Sequence, residues 1–334
     1  MAARIAINGL GRIGRSLLKL VIEDPALELV AVNDLIDADN LAYLIRFDTV
    51  YGRYGKPVRV EQEDLVVGDR RLRVLHVRDP AELPWKDLGV DVVFECTGAF
   101  TRREDLEKHV RAGARTVLLS APSKSDSVET VIHGVNAAGG QSILSCASCT
   151  TNCITPVVEV IGRRIGFSKA VMTTVHAYTS SQSIVDGPKK QPRRGRAAAA
   201  NLVPATTGAA RATTRALPEY ADRFDGIAVR APVPVGSIAD ITFVTTRRTD
   251  VDEVNRVLAE EAETSRYAGV LGVSRDPLVS SDIIGDSRAS IVDLELTKVI
   301  DGDLLKIMAW YDNEWGYANQ MVREARSIVD ARRR

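Results

Sequence analysis

Over the first half of the chain, short apolar runs alternate with stretches in which apolar residues recur at helical spacing. RIAING (4–9) and LELVAVND (27–34) read as buried strands, and GRIGRSLLKLVIED (11–24) between them as an amphipathic helix. VDVVFECTG (90–98) and ARTVLLSAP (114–122) repeat the strand pattern around a charged helical segment, TRREDLEKHVRAG (101–113). Strand, helix and strand in repetition predict a parallel sheet covered by helices. DLVVGDRRLRVLHV (64–77) interrupts the repetition as two strands around a Gly-Asp turn.

Beyond residue 150 the texture changes. SILSC (142–146) reads as a strand entering a turn, and TNCITPVVEVIGRRIG (151–166) as a helix. KAVMTTVHAYT (169–179) and GIAVRAPVPVGSIADITFVTTRR (226–248) are β-rich and punctuated by Pro and Gly. These predict a second, mixed domain on a larger antiparallel sheet. Residues 178–204 form a long basic stretch with little periodicity, and the tail from residue 313 reads as a helix.

Composition narrows the classes. The chain has 334 residues, 45% hydrophobic, with 44 basic and 44 acidic side chains, so no global charge draws it to nucleic acid or an anionic membrane. No stretch approaches the roughly 20 apolar residues of a membrane helix, and the N-terminus lacks the apolar core of a signal peptide. A cytoplasmic protein is expected, and its four cysteines are too few for a disulfide scaffold.

Two stretches carry chemistry. Gly9, Gly11 and Gly14 form G-x-G-x-x-G between the first strand and first helix, where backbone N–H groups suit a pyrophosphate; Asp34, about twenty residues on, ends the second strand and suits ribose hydroxyls. In SCASCTTNC (145–153), Cys149 stands at the start of a helix, where the dipole favours a thiolate. Cys153, one turn on, is expected to pack in a core. For Cys149 a zinc ligand, a C-x-x-C redox partner of Cys146, an inert thiol and a nucleophile all compete; the chain holds no second C-x-x-C to complete a metal site. A nucleophile needs a base. His176 lies near the end of a strand in the following domain, as a core residue or as that base, while His76, His109 and His133 are expected to be solvated.

INGLGRIGR, AVNDL, ECTG, SAPSK, SCASCTTNC, TTVHAYT, VPATTGAA, GIAVRAPVP and WYDNEWGYANQMV occur in this order, and the chain resembles phosphorylating glyceraldehyde-3-phosphate dehydrogenases from about residue 3 to 330. The resemblance implies an α/β chain with three parts. These are a Rossmann-type NAD-binding domain (1–149), an α+β catalytic domain on a mixed, largely antiparallel sheet (150–314), and a C-terminal helix (315–334) packing back on the first. It implies Cys149 as the nucleophile that forms a thiohemiacetal and then a thioester, and His176 as its acid–base partner. Gly9, Gly11, Arg12, Ile13, Gly14, Asp34, Arg78, Thr97, Gly98, Ser120, Asn313 and Tyr317 would line the cofactor NAD. Thr179 and Arg230 would hold the phosphate of the aldehyde substrate, and Ser148, Thr150, Arg194, Thr207 and Gly208 the attacking inorganic phosphate. A homotetramer is implied, with no metal, no membrane and no nucleic-acid partner. Erythrose-4-phosphate dehydrogenase, which typically hydrolyses its thioester, and a non-catalytic nucleotide-binding paralogue are the alternatives.

Three departures stand out. Ser181 replaces the family's usual Asp beside the substrate phosphate, Cys146 replaces an Asn three residues before the nucleophile, and DGPKKQPRRGR (186–196) departs from the usual loop at Gly187 and Gln191. Cys146 is thereby a candidate for an oxidation-sensitive bridge to Cys149.

Overall fold

A computed structural model of the chain describes residues 2–333. The described chain forms two compact units: one comprises the residues up to Val131, Ala137–Ala147 and the residues from Met321 onward, and the other comprises Ile132–Asn136 and Ser148–Gln320.

In the first unit the strands are β1 (Ala3–Asn8), β2 (Leu27–Asn33), a small hairpin of β3 (Phe47–Asp48) and β4 (Gly52–Arg53), then β5 (Val58–Glu61), β6 (Asp64–Val67), β7 (Arg70–Leu75), β8 (Val92–Glu95), β9 (Thr116–Leu119), β10 (Glu129–Thr130) and β11 (Ile143–Ser145). They make a nine-stranded sheet in the order β10-β11-β9-β8-β1-β2-β7-β6-β5. The strands from β10 to β7 run parallel, and β6 and β5 fold back antiparallel beyond them. Helices α1 (Arg12–Glu23), α2 (Ala38–Arg46) and α3 (Arg103–Arg111) connect the early strands. Chain order reverses on either side of β1, between β2 and β8, so the crevice at the carboxyl ends of these strands is the switch point where open α/β sheets bind ligands. The Gly68-Asp69 turn between β6 and β7 is present as the sequence predicts, with Gly68 at φ +62°.

The second unit opens with α4 (Cys149–Arg164) and β12 (Phe167–Ala177), followed by β13 (Val203–Thr206), α5 (Ala209–Ala216), β14 (Phe224–Ala231), β15 (Ser237–Thr245), α6 (Val251–Ala262), β16 (Leu271–Ser274), β17 (Ser290–Ile300) and β18 (Leu304–Tyr311). Its seven strands order as β13-β14-β12-β15-β18-β17-β16, mostly antiparallel with parallel pairs at β12/β14 and β16/β17. One face of this sheet carries α4, whose Cys153, Ile154, Val157, Val158 and Ile161 pack with Met172, Ile241, Phe243 and Ile307 in the main core. Arg163 ties α4 to α6 by pairing with both Glu159 and Glu261 at 2.8 Å. The basic stretch 178–204 has no strand before Val203 and only two single turns of 3-10 helix, Pro192–Gly195 and Ala198–Ala200. The last helix, α7, begins at Trp315 rather than at residue 313.

His109 departs from the expectation of a solvated side chain. It is fully buried on the inner face of α3, where Trp85 Nε1 donates to its Nδ1 at 3.0 Å. An indole only donates, so the ring proton sits on Nε2 and meets Glu95 Oε2 at 3.1 Å. Glu95, also fully buried, accepts in addition from Asn8 Nδ2 at 2.6 Å and from Thr97 N and Oγ1 at 2.8 and 2.5 Å. The charged sequence of α3 conceals this because its single apolar-facing polar residue is recognised only by partners far along the chain. His109→Leu strands the Trp85 N–H and removes one donor from a buried carboxyl, and it is expected to destabilise the cofactor-free protein by about 2–4 kcal/mol, read as a lowered unfolding midpoint.

Candidate active site

The glycine spacing of the first unit follows from backbone crowding. A Cβ on Gly9, at φ +93°, would stand 2.7 Å from Thr97 N, and a Cβ on Gly14 would stand 1.9 Å from Gly9 O. The first contact lets β1 and β8 converge, and the second lets α1 settle onto the end of β1. Gly11 caps α1 without a side-chain hydrogen bond and faces open space. No side chain caps this helix start, which suits it to an anion. A cleft of about 400 Å³ at this point is lined by Gly9, Gly11, Asp34, Arg78 and Thr97, all expected from the sequence, and by Asn8, Asn33, Cys96 and Phe100, which were not. Asp34 accepts from Leu10 N at 2.7 Å and Ile36 N at 3.1 Å, which holds its carboxylate at the rim. A glycine cradle that any side chain would fill, an uncapped helix start and a rim carboxylate fit a dinucleotide without a 2′-phosphate.

The remaining cofactor candidates are more dispersed. Arg12, the first residue of α1, is ion-paired with Asp48 and lies over the Tyr51 ring. Ile13 follows it, half-buried; Gly98 turns the chain at φ +70°; Ser120 N donates to Glu95 O at 2.9 Å. In the second unit, Asn313 Oδ1 accepts from Gly236 N at 3.2 Å and Ser237 Oγ at 2.9 Å, which fixes the amide and leaves its NH₂ to offer to a carbonyl. Tyr317 is buried in the first turn of α7. Asn8, Asn33 and Glu95 carry no signal along the chain, because a polar residue closing a buried strand looks like any other strand end.

The thiol site is built by a helix start and a strand register. Ser148 caps α4 by accepting from Thr151 N at 3.1 Å, and Cys149 is the first helical residue. Along β12 the alternation turns Met172, Thr174 and His176 inward and leaves Val171 and Val175 exposed. Parallel pairing with β14 sets Arg230 directly beside His176. The result is Cys149 Sγ 3.3 Å from His176 Nε2, and His176 Nδ1 2.6 Å from Arg230 Nη1 and 2.7 Å from Ala177 O. Arg230 Nη1 also donates to Ala177 O at 3.0 Å. Tyr311 meets the imidazole edge-on at 6.0 Å, and its hydroxyl bridges Thr150 Oγ1 and Thr174 Oγ1, each at 2.8 Å. Tyr311 lies within the WYDNEWGYANQMV motif, and only the fold brings it to Thr150 and Thr174.

The anion candidates divide. Arg194 Nη1 donates to Ser181 Oγ at 2.7 Å, and Ser181 Oγ shares a hydrogen bond with Thr179 Oγ1 at 2.8 Å, so these three are joined where the family carries a carboxylate. The charges of Arg230 and Arg194 both act on His176, and burial followed by the Arg194 charge lowers Arg230. Thr207 and Gly208 start α5, with Thr207 Oγ1 accepting from Ala209 N at 3.1 Å. The Thr150 hydroxyl is buried against Tyr311, so its contribution toward the thiol side includes its backbone N–H. All four cysteines are free thiols; Cys146 and Cys153 are buried, and burial pushes both well above the ordinary thiol range.

Burial also raises the Cys149 thiol, opposed by the Arg230 charge and by hydrogen bonds from Thr150. His176 is lowered to about 3, first by burial and then by Arg230. Burial thus favours the neutral form of each group, while the Arg230 charge and the Thr150 hydrogen bonds favour the thiolate of Cys149. Such an arrangement suits covalent catalysis on an electrophilic carbon, with guanidinium groups placed to hold anionic substituents.

The model of the glyceraldehyde 3-phosphate dehydrogenase NAD binding domain matches residues 3–103, and that of the C-terminal domain of the same enzyme matches residues 148–313. The chain is 45% identical to glyceraldehyde-3-phosphate dehydrogenase of Streptomyces coelicolor over 327 residues, covering 96% of this chain and 97% of the relative. It is 44% identical to that of Geobacillus stearothermophilus over 333 residues, covering 98% and 99%. With Mycobacterium bovis the identity is 46% over 332 residues, covering 96% and 97%. The chain therefore belongs to the glyceraldehyde-3-phosphate dehydrogenase family of NAD-dependent oxidoreductases.

Proposed function

We propose that this protein oxidises glyceraldehyde 3-phosphate in the presence of inorganic phosphate to an acyl phosphate, through a thioester on Cys149. The observation that carries the reading is the thiol at the start of α4, 3.3 Å from an imidazole that is itself held between a carbonyl and a guanidinium. Cys149 adds to the aldehyde carbon, and the thiol proton passes to His176. The ring N–H of His176 steadies the oxyanion and then the base takes the hydroxyl proton of the thiohemiacetal. Bound NAD supplies the acceptor for the hydride lost at that carbon. Arg230 and Thr179 hold the substrate's phosphate. Arg194, Ser148, Thr207, Gly208 and the Thr150 backbone receive the attacking phosphate, which displaces Cys149 and regenerates the thiol. The cofactor is held by Gly9, Gly11, Gly14, Asp34, Thr97 and Arg78, with Asn313 and Tyr317 for the nicotinamide side and Arg12, Ile13, Gly98 and Ser120 supporting.

The assembly is read as a cytoplasmic homotetramer. Supporting this are free cysteines and exposed apolar side chains, Val171 and Ile227 on β12 and β14 and Ile184 and Leu202 in the 178–204 stretch, suited to burial against a second copy.

NADH formation from glyceraldehyde 3-phosphate and NAD is expected to depend on phosphate or arsenate; turnover indifferent to either would identify a hydrolytic aldehyde dehydrogenase instead. Cys149→Ser should abolish this turnover with NAD binding retained by calorimetry, and His176→Asn should lower kcat by about 10² to 10⁴. Ser181→Asp puts a carboxylate against Arg194 and competes with the attacking anion there, so KM for inorganic phosphate should rise about 3- to 10-fold at low salt, with a smaller rise at high salt.

A further inference from the structure

The nucleotide cleft is organised around one buried carboxylate. Glu95 ends β8, is fully buried, and accepts four hydrogen bonds, two on each oxygen. Oε1 takes Thr97 N and Thr97 Oγ1; Oε2 takes Asn8 Nδ2 and His109 Nε2. The last two nitrogens stand 3.5 Å apart, both as donors, so the oxygen they share is what holds them together. Each bond sets a part of the cleft. Thr97 is drawn down at its N–H and its hydroxyl, and the hydroxyl accepts from Ala99 N at 3.1 Å. The turn so closed lies close enough to Gly9 that a Cβ there would stand 2.7 Å from Thr97 N. Asn8, on the neighbouring β1, passes the constraint to Asn33 Nδ2 at 2.7 Å and through it to Val77. All of these line one cavity with Gly9, whereas His109 does not reach it.

We propose that His109 is a positioning residue for the cofactor: by donating to Glu95 from behind, it fixes the carboxylate that seats the Thr97 turn against Gly9 and the Asn8–Asn33 pair under the dinucleotide. This deepens the reading of that cleft as the NAD site. The terminal torsion of a glutamate is soft, so the carboxylate keeps one orientation only while its oxygens are held from more than one side. Thr97 and Asn8 hold it from the cleft; His109, on the inner face of α3, holds it from the core. The Trp85 indole donates to Nδ1 and thereby keeps the ring proton on Nε2, aimed at Glu95. Without that N–H the carboxylate turns toward the cleft, where its charge opposes the phosphates of a dinucleotide.

The test measures NAD affinity by calorimetry on the folded full chain, with unfolding midpoints alongside. His109→Asn keeps an oxygen for the Trp85 indole and is too short to donate to Glu95; Glu95→Gln turns one acceptor into a donor among donors. Each should raise the Kd for NAD about 10-fold, the worth of one hydrogen bond to a charged group. His109→Gln reaches Glu95 with an N–H and should stay within about 3-fold of the wild type. Leu106→Ala is the control for stability alone, since Leu106 is fully buried on the same helix in the cluster with Val117 and Leu119; its midpoint should fall and its Kd stay put. An unchanged Kd in His109→Asn would overturn the proposal. So would a Kd raised as much in Leu106→Ala or His109→Gln as in His109→Asn, because the effect would then follow stability and not the N–H. Should His109→Asn not fold, Glu95→Gln decides against the same control, and an unchanged Kd there overturns the proposal. Gly9→Ala tests the cleft separately. NAD binding that survives this change would fail the reading of the cleft and the proposal with it; binding lost in Gly9→Ala but of wild-type strength in His109→Asn would fail the proposal alone.

Discussion

The pairing of β12 with β14 is the constraint on which the reactive end of this protein depends. Strand side chains alternate faces, so a slip of one residue would turn His176 to the exposed side now occupied by Val171 and Val175, and would separate it from Arg230. Pairing of β12 with β15 on the other edge, from Val175↔Ile238 to Lys169↔Val244, pins the same register from a second direction. The helix-covered face is packed by Met172 on β12, Ile241 and Phe243 on β15 and the apolar side of α4, so the burial that stabilises the core is the burial that aims the imidazole at the thiol.

That burial has an electrostatic consequence. A thiol and an imidazole withdrawn from water both favour their neutral forms, and the nearby charges are cationic. The site in isolation is therefore short of negative charge, with Arg194 and Arg230 held by hydroxyl, amide and carbonyl oxygens rather than by carboxylates. Ser181 sharpens this imbalance, since it accepts from Arg194 without neutralising it.

The nucleotide end is made by different means. Close backbone approach at Gly9 and Gly14 shapes the crevice, and a buried polar network from Trp85 through His109 and Glu95 to Asn8 and Asn33 sets its floor. Asn33 accepts from Val77 N at 2.9 Å and donates to Val77 O at 2.9 Å, which carries the network across to the segment bearing Arg78. Asn8 and Asn33 at the cleft are thus fixed by partners beneath them, and each side-chain donor of this network meets an acceptor.

Much of this organisation is local and was legible along the chain: strand and helix periods, the Gly-Asp turn, the glycine fingerprint, the cysteine at a helix start and its buried neighbour Cys153. These follow from short-range sterics and periodicity, which a few adjacent residues specify. His109, read as solvated, and Tyr311, not singled out, could not be placed that way, because their partners lie at Trp85 and Glu95 and at Thr150 and Thr174, brought near only by sheet order and helix packing. The same holds for Arg230. Its residue type announced an anion contact, but its place beside His176 exists only because two parallel strands pair in a single register, a long-range choice made by the burial of an entire face.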